Sequence, residues 1–338
     1  MAFILPAQTK VSPSYTEPGL ILTFTQPSGA FDLLGGGKPM VKLGEGDLMA
    51  YVHRLDLRTR TAAGQSSYNQ LPTAELVGSF GGTPTYLFQS RGEYNHHDTA
   101  AASRWNFSLP EANRLAQRQG IFQSLRLALL YGMKPDNYEG LLNTYGATAA
   151  TLGTDSYGSS TLTEWDNGEL GLYFVSLITN LLTRTNQLGA QQRIAILAPQ
   201  RVMAQLFQIV QLTSFQRSGA GTGSIQSMVN DTCAGFSVDV DWVMDDTLIG
   251  KGSGSTDAII IAVPEVKNRN VPGINVNEFA QLQPGMNAVT AMFADKAAPT
   301  EITSPAVGGA TDVLMEMRAT SGIAWRGEAV TVLSAAYS

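Results

Sequence analysis

The side chains most able to do chemistry are few in this chain and poorly grouped. His96, His97 and Asp98 follow Glu93 at short spacing and are the nearest approach to a metal cluster. Adjacent side chains on an extended segment point to opposite faces, so two neighbouring imidazoles rarely reach one ion. A solvated loop is the expectation there. Asp239 and Asp241 fall on one face of an alternating segment, with Asp245 and Asp246 just beyond. Paired carboxylates of this kind bind a cation or act as acid and base. A solvated strand face followed by a turn is the simpler reading.

Other motifs fail on spacing. Gly35-Gly36-Gly37-Lys38 runs into Pro39 rather than Ser or Thr, and Asp32 stands where a phosphate loop needs its first glycine. Gly219, Gly221 and Gly223 lack both the third glycine and the preceding strand of a dinucleotide turn. There is no Gly-X-Ser-X-Gly elbow. His53 sits in a strand-like segment, where packing or interface work fits better than general-base work. The lone cysteine, Cys233, excludes an intrachain disulfide and a cysteine zinc cage, and reads as a small buried hydrophobe. The sequons at Asn106 and Asn230 read as chance. No catalytic, cofactor-binding or metal-binding residue is assigned, no cofactor is expected, and the chain is not expected to be an enzyme.

Composition points the same way. Of 338 residues, 15% are charged, against an average near 25%. A charge-poor exterior suits a surface that partners cover. The formal net charge of −6 argues against a nucleic-acid reader, which carries a basic patch for phosphates. The acidity is concentrated: Asp231 to Asp312 holds 11 Asp and Glu against 4 Lys and Arg, a net of −7. The opening Met-Ala-Phe-Ile-Leu-Pro is not a signal peptide, and no apolar stretch reaches the roughly 20 residues of a membrane helix. A cytosolic, reduced-thiol protein with no membrane contact is expected.

The elements available to position side chains come in a clear order. Residues 1–48 are punctuated by Pro6, Pro13, Pro18, Pro27, the Gly35–Gly37 run and Pro39, which predicts an extended arm lying on another surface. Tyr51, His53, Leu55 and Leu57 alternate with Val52, Arg54, Asp56 and Arg58, the period of a strand. A turn-rich tip over 61–83 and a returning strand over 85–89 complete a long hairpin, marginal unless it packs on a neighbour. Ser108-Leu109-Pro110-Glu111 reads as a capping box opening a helix over 109–131, with Gly132 as its stop and Gly120 a weak point. Its apolar stripe is Ala112, Leu115, Phe122, Leu125 and Leu129.

Gly140-Leu-Leu-Asn143 follows in a turn, then a Thr/Ser/Gly-rich connection to about residue 161. A second helix is predicted over 166–185, a buried strand over 193–198, and a helix from Pro199 with Val202, Leu206, Ile209 and Thr213 on one face. Strands over 236–242 and 258–263 complete a mixed α/β unit. Three tail strands, over 286–293, 313–318 and 323–333, suggest an insertion after which the chain returns to finish an earlier sheet.

In this order the chain resembles the major capsid protein of tailed bacteriophages, the Hong Kong 97-like fold. The residues carrying the likeness are Leu127-Ala-Leu-Leu-Tyr-Gly132 with Gly140-Leu-Leu-Asn143, a turn of a kind found after the family's spine helix. Arg193–Ala198 with Pro199 and the tail Thr320-Ser-Gly-Ile-Ala-Trp-Arg add to it. The resemblance implies an α+β capsid fold in five parts. These are an N-terminal arm (1–48), an extended hairpin loop (49–95), a peripheral domain with spine helix 109–131 (96–150), an inserted α/β axial domain (151–282), and returning peripheral strands with a C-terminal strand (283–338).

It also implies self-assembly into the pentamers and hexamers of an icosahedral head built in the host bacterial cytoplasm and found in the virion. The head would enclose double-stranded DNA without sequence-specific binding. Portal, separate scaffolding and decoration proteins are the implied partners. Scaffolding is expected from a separate protein because the arm starts at Met1 with no long helical prefix. Arg54, Arg58, Arg60, Tyr68, Tyr86 and Phe88 are assigned to contacts between subunits. No covalent crosslink is predicted. Two alternatives stay open: an encapsulin-type compartment shell, and a soluble α/β enzyme using Asp239 and Asp241.

Overall fold

The computed structural model describes residues 29–58, 75–103, 108–135, 138–185, 192–208, 223–265, 288–306 and 309–338. Arm residues 1–28, Arg60 and Tyr68 of the hairpin, Asn106, Ile209, Thr213 and the predicted strand's start at 286 lie outside them.

A short 3-10 turn, Gly29–Leu33, opens the described chain and is followed by β1 (Met40–Val41). β2 (Met49–Arg58) then runs antiparallel to β3 (Glu75–Asn95). β3 is 21 residues long, about 70 Å at roughly 3.3 Å per residue. Its first half pairs with β2, from Arg58 against Glu75 to Met49 against Pro84. Two helices follow, α1 (His96–Ser103) and α2 (Leu109–Tyr131), then the short strand β4 (Thr148–Thr151). Helix α3 (Asn167–Arg184) leads to β5 (Gln192–Ala198), α4 (Gln200–Leu206) and α5 (Ile225–Ala234). β6 (Val238–Met244) and β7 (Asp257–Ala262) complete this unit. The tail holds β8 (Thr290–Ala291), β9 (Phe293–Ala294), β10 (Thr300–Pro305), β11 (Ala310–Thr320), β12 (Ile323–Ala324) and β13 (Val330–Ala335).

Two main sheets result. The first has the order β1-β9-β11-β3-β2, with β10 on β11; the second has the order β4-β13-β7-β5-β6. The second half of β3 pairs along all of β11, from Asn95 against Ala310 to Thr85 against Thr320. One strand therefore serves both the hairpin and the body. The chain does return to the first sheet after the α/β unit. Its last strand, β13, instead enters the second sheet between β4 and β7, so the C-terminal strand belongs to the inserted unit's sheet.

The central strands of the second sheet, β5 and β7, are buried on both faces, which explains their unbroken apolar runs. Ile194, Ile196, Ile259 and Ile261 face a core formed with α3, α4 and α5. Ala195, Leu197, Ala258 and Ile260 face the opposite way, into a core shared with Leu125, Leu129 and Leu130 of α2 and with Met315 and Met317 of β11. Tyr131 at the end of α2 adds a hydrogen bond across the same junction, donating to the Thr247 carbonyl at 2.6 Å. Ala30, Leu33 and Leu34 are buried in this second core. The described part of the arm thus packs on its own chain.

Several expectations need correction. Helix α2 has the predicted bounds and continues through Gly120, but the Ser108 side chain makes no capping hydrogen bond. Its buried line is Gln117, Ile121, Leu125, Ala128, Leu129 and Leu130, whereas Leu115 and Phe122 are exposed, Phe122 by 41%. The returning hairpin strand begins ten residues earlier than predicted, because pairing with β2 carries it through Gly78, Gly81 and Gly82. Strands β4 and β10 and helices α1 and α5 were not foreseen. For α5 the signal existed: Ile225, Val229 and Cys233 recur every four residues behind Ser224, whose side chain caps the Ser227 amide.

Candidate functional site: the hairpin root and the end of the long helix

The turn after α2 is built around two glycines. Gly132 has φ +70° and donates its amide to the Ala128 carbonyl at 3.1 Å. Gly140, at φ +82°, backs directly onto it. A Cβ on Gly132 would lie 2.6 Å from the Glu139 backbone, and one on Gly140 would lie 2.4 Å from the Gly132 nitrogen. Only two residues without side chains allow this approach. The approach brings the Leu141 and Leu142 amides to the Leu129 and Leu130 carbonyls, each at 3.0 Å. Asn143 donates its side-chain amide to the Tyr131 carbonyl at 3.2 Å. The Gly-Leu-Leu-Asn turn is therefore the device that satisfies the carbonyls left open at the end of the helix.

The same turn buries a carboxylate. Glu139 is 5% exposed. It accepts from the Tyr86 hydroxyl at 2.9 and 3.0 Å, from the Met133 and Lys134 amides at 3.3 and 3.1 Å, and from the Ser321 hydroxyl at 2.9 Å. Burial, then the hydrogen bond and the charge of Glu139, push the Tyr86 hydroxyl up to about 12. Sequence reasoning missed Glu139. A single acid before a glycine carries no periodic signal, and its donors come from positions far apart in the chain.

The hairpin's root shows the residue alternation expected of a strand with one side in water. Tyr51 and Leu48 are 65% and 72% exposed, Met49 is exposed as well, and the Tyr51 hydroxyl reaches the Met49 sulfur at 3.4 Å. On β3, Leu87 points outward and Phe88, 7% exposed, points into the core shared with α2. The predicted contact set therefore divides. Phe88 is an interior residue rather than a contact for another subunit, because its strand position faces the body. Tyr86 is half-buried and committed to Glu139. Arg54 and Arg58 lie on β2 in the hairpin, while Arg60 and Tyr68 fall outside the described residues.

Several of the candidate chemical groups have structural partners among the described residues. Asp241 forms an ion pair with Arg193 across the β5–β6 pair. Asp245 caps the Thr247 amide at 3.0 Å, and Asp246 accepts from the Gln200 amide at 2.7 Å. His96 and His97 open helix α1 rather than a loop, with ring centroids 3.8 Å apart. Among the described residues no three His, Cys, Asp or Glu side chains are grouped to hold a metal ion. Among them also, no helix is long and apolar enough to cross a membrane. Asn230 accepts from the Trp242 indole at 2.8 Å, a structural use for that sequon residue. Cys233 is buried, and burial pushes its thiol up to about 11.

A hairpin continuous with a body sheet, a long helix closed by a glycine turn and an inserted α/β unit define the Hong Kong 97-like capsid fold, and the chain has this fold. A solved structure described as the capsid of Myoviridae phage XM1 matches with a TM-score of 0.67 and 14% identity, covering 96% of this chain and 97% of that one. A chain of Mycobacterium phage Cain matches at 0.58 and 10% identity, covering 96% and 95%. The capsid of a native GTA particle matches at 0.58 and 10% identity, covering 97% and 96%. No protein-family model and no curated protein matches the sequence.

Proposed function

We propose that the chain is a shell-forming subunit, the major capsid protein of a tailed phage or a related particle, with a structural rather than catalytic role. The observation that carries this reading is the end-to-end correspondence with the capsid of phage XM1, which covers 96% of this chain and 97% of that one. The exposed apolar residues at the hairpin root support it, since a cluster of large apolar side chains in water marks a surface that a partner covers. Copies around a five- or six-fold ring meet head to tail, each offering one surface to a different surface of the next. In this reading the hairpin reaches across to a neighbour, with Arg54, Arg58, Arg60 and Tyr68 at that contact. The pentamers and hexamers close into an icosahedral head, assembled in a bacterial cytoplasm, that encloses DNA without reading its sequence. Portal, separate scaffolding and decoration proteins complete the particle.

Electron microscopy of the purified, concentrated protein tests the proposal. Closed shells or five- and six-membered rings are expected. A protein that stays monomeric at high concentration, alone and with the other structural proteins of its particle, sinks it.

A further inference from the structure

β3 changes partner at one point. Up to Pro84 it pairs with β2, and from Thr85 onward it pairs with β11. A strand that changes its ladder partner between two consecutive residues has a natural pivot there, and the hairpin, whose root packs by Ala50 and Val52 on a small cluster with Phe293 and Trp325, is the part that would swing. Backbone and side-chain bonds steady the pivot within the sheet: the Thr85 amide to the Leu48 carbonyl at 3.0 Å, the Thr85 hydroxyl to the Asp47 carbonyl at 2.6 Å, and Arg318 to that same carbonyl at 3.2 Å. One residue further, Tyr86 reaches out of the sheet to Glu139, in the turn that closes α2.

Glu139 is placed to make that link stiff. Its carboxylate is buried and held by the Met133 and Lys134 amides at the end of α2 and by Ser321, just past β11. Gly322 next to it donates to the Ala128 carbonyl at 3.1 Å and accepts from the Gly140 amide at 3.0 Å. Three segments distant in sequence thus meet on one side chain that cannot shift without breaking bonds to all of them. Hydrogen bonds to a buried ionised group are among the strongest in a protein, and leaving such a group short of donors is costly.

We propose that Glu139 is a coupling pin that fixes the hairpin's angle to the long helix, so that hairpin root and helix end move as one body. The pin acts through the Tyr86 hydroxyl and is independent of the strand ladders.

Amide hydrogen exchange on the dilute full-length chain tests this, comparing wild type with Tyr86→Phe and Glu139→Gln. Tyr86→Phe removes one donor and leaves the other bonds to Glu139. Exchange of the hairpin amides over 49–58 and 75–84 is expected to rise about tenfold or more, the equivalent of one hydrogen bond to a charged group. The Leu141 and Leu142 amides at the helix end are expected to hold. Glu139→Gln, which sets an N–H2 among donors, is expected to speed exchange at both places. Unchanged hairpin exchange in Tyr86→Phe overturns the proposal. So does a Tyr86→Phe chain that fails to fold, since a coupling bond is not a folding requirement. A wider spread of shell diameters in the variants follows as well. That consequence rests on the capsid reading and fails with it, whereas exchange in the dilute subunit does not.

Discussion

At the scale of single residues, what decides an effect is which way a side chain points and how much room it has. Phe122 is large and apolar, yet it is exposed on α2 and stands edge to face with the Phe31 ring, centroids 6.5 Å apart. Phe122→Ala is expected to cost under about 1 kcal/mol, while Leu125→Ala, on the buried line, costs about 2–5 kcal/mol. Urea unfolding of the two variants separates them, and equal losses would put Phe122 back in the core. Gly140→Ala meets both a left-handed backbone and the Gly132 nitrogen. Strain of about 1–3 kcal/mol is expected from the backbone alone, with the clash on top, so little soluble protein should be recovered. Cys233 carries a thiol raised to about 11 by burial, so its folded form favours the neutral state. At pH 8 a thiol reagent is expected to label it only through unfolding, at a rate independent of reagent concentration once the reagent is in excess. Fast labelling proportional to reagent would show the thiol to be accessible.

At the scale of elements, the legible parts of the chain were those where local chemistry and tertiary packing agree. Helix α2 was readable to the residue because Pro110 and Gly132 bracket it. β5 and β7 were readable because burial on both faces leaves an apolar run with no polar interruption. The face of α2 was misjudged because one of its inward positions is Gln117, which pays for burial through a hydrogen bond from its side-chain amide to the Val313 carbonyl, at 2.9 Å. Periodicity counts apolar residues and passes over a buried polar one. The length of β3 was hidden by Gly78, Gly81, Gly82 and Pro84, which signal a turn locally but are held extended by pairing with β2. Glu139 was invisible for a related reason: its meaning lies in partners that sequence does not place beside it. The hairpin makes a prediction at this scale. Val52 and Gly81 stand opposite one another in the ladder. Joining them by a two-residue Asn-Gly turn, with 53–80 deleted, suits hairpin geometry. The body should unfold at nearly the wild-type temperature, and closed shells should be lost in electron micrographs. Normal shells from the shortened chain would remove the hairpin from assembly.

At the scale of the whole molecule, the two sheets do not define independent bodies. The core between them takes side chains from α2, β5, β7 and β11 together, and β13 closes the inserted unit's sheet with the last strand of the chain. Thr163 and Arg201 hold Tyr337 near the C-terminus, the hydroxyl of Thr163 donating to its carbonyl at 3.0 Å and the guanidinium lying 4.8 Å from its ring centroid. One cooperative unfolding transition is therefore expected for the described body, seen as coincident changes by circular dichroism and by tryptophan fluorescence. Two resolved transitions would mean that the shared core is weaker than its burial suggests. The continuity of β3 has a mechanical side. Tension applied to the hairpin is directed along the strand axis, so all eleven residues of β11 resist it at once in shear, where a perpendicular tug would unzip them one by one. In the shell proposed above, a wall tiled from such units would be toughest against stretching within its own plane.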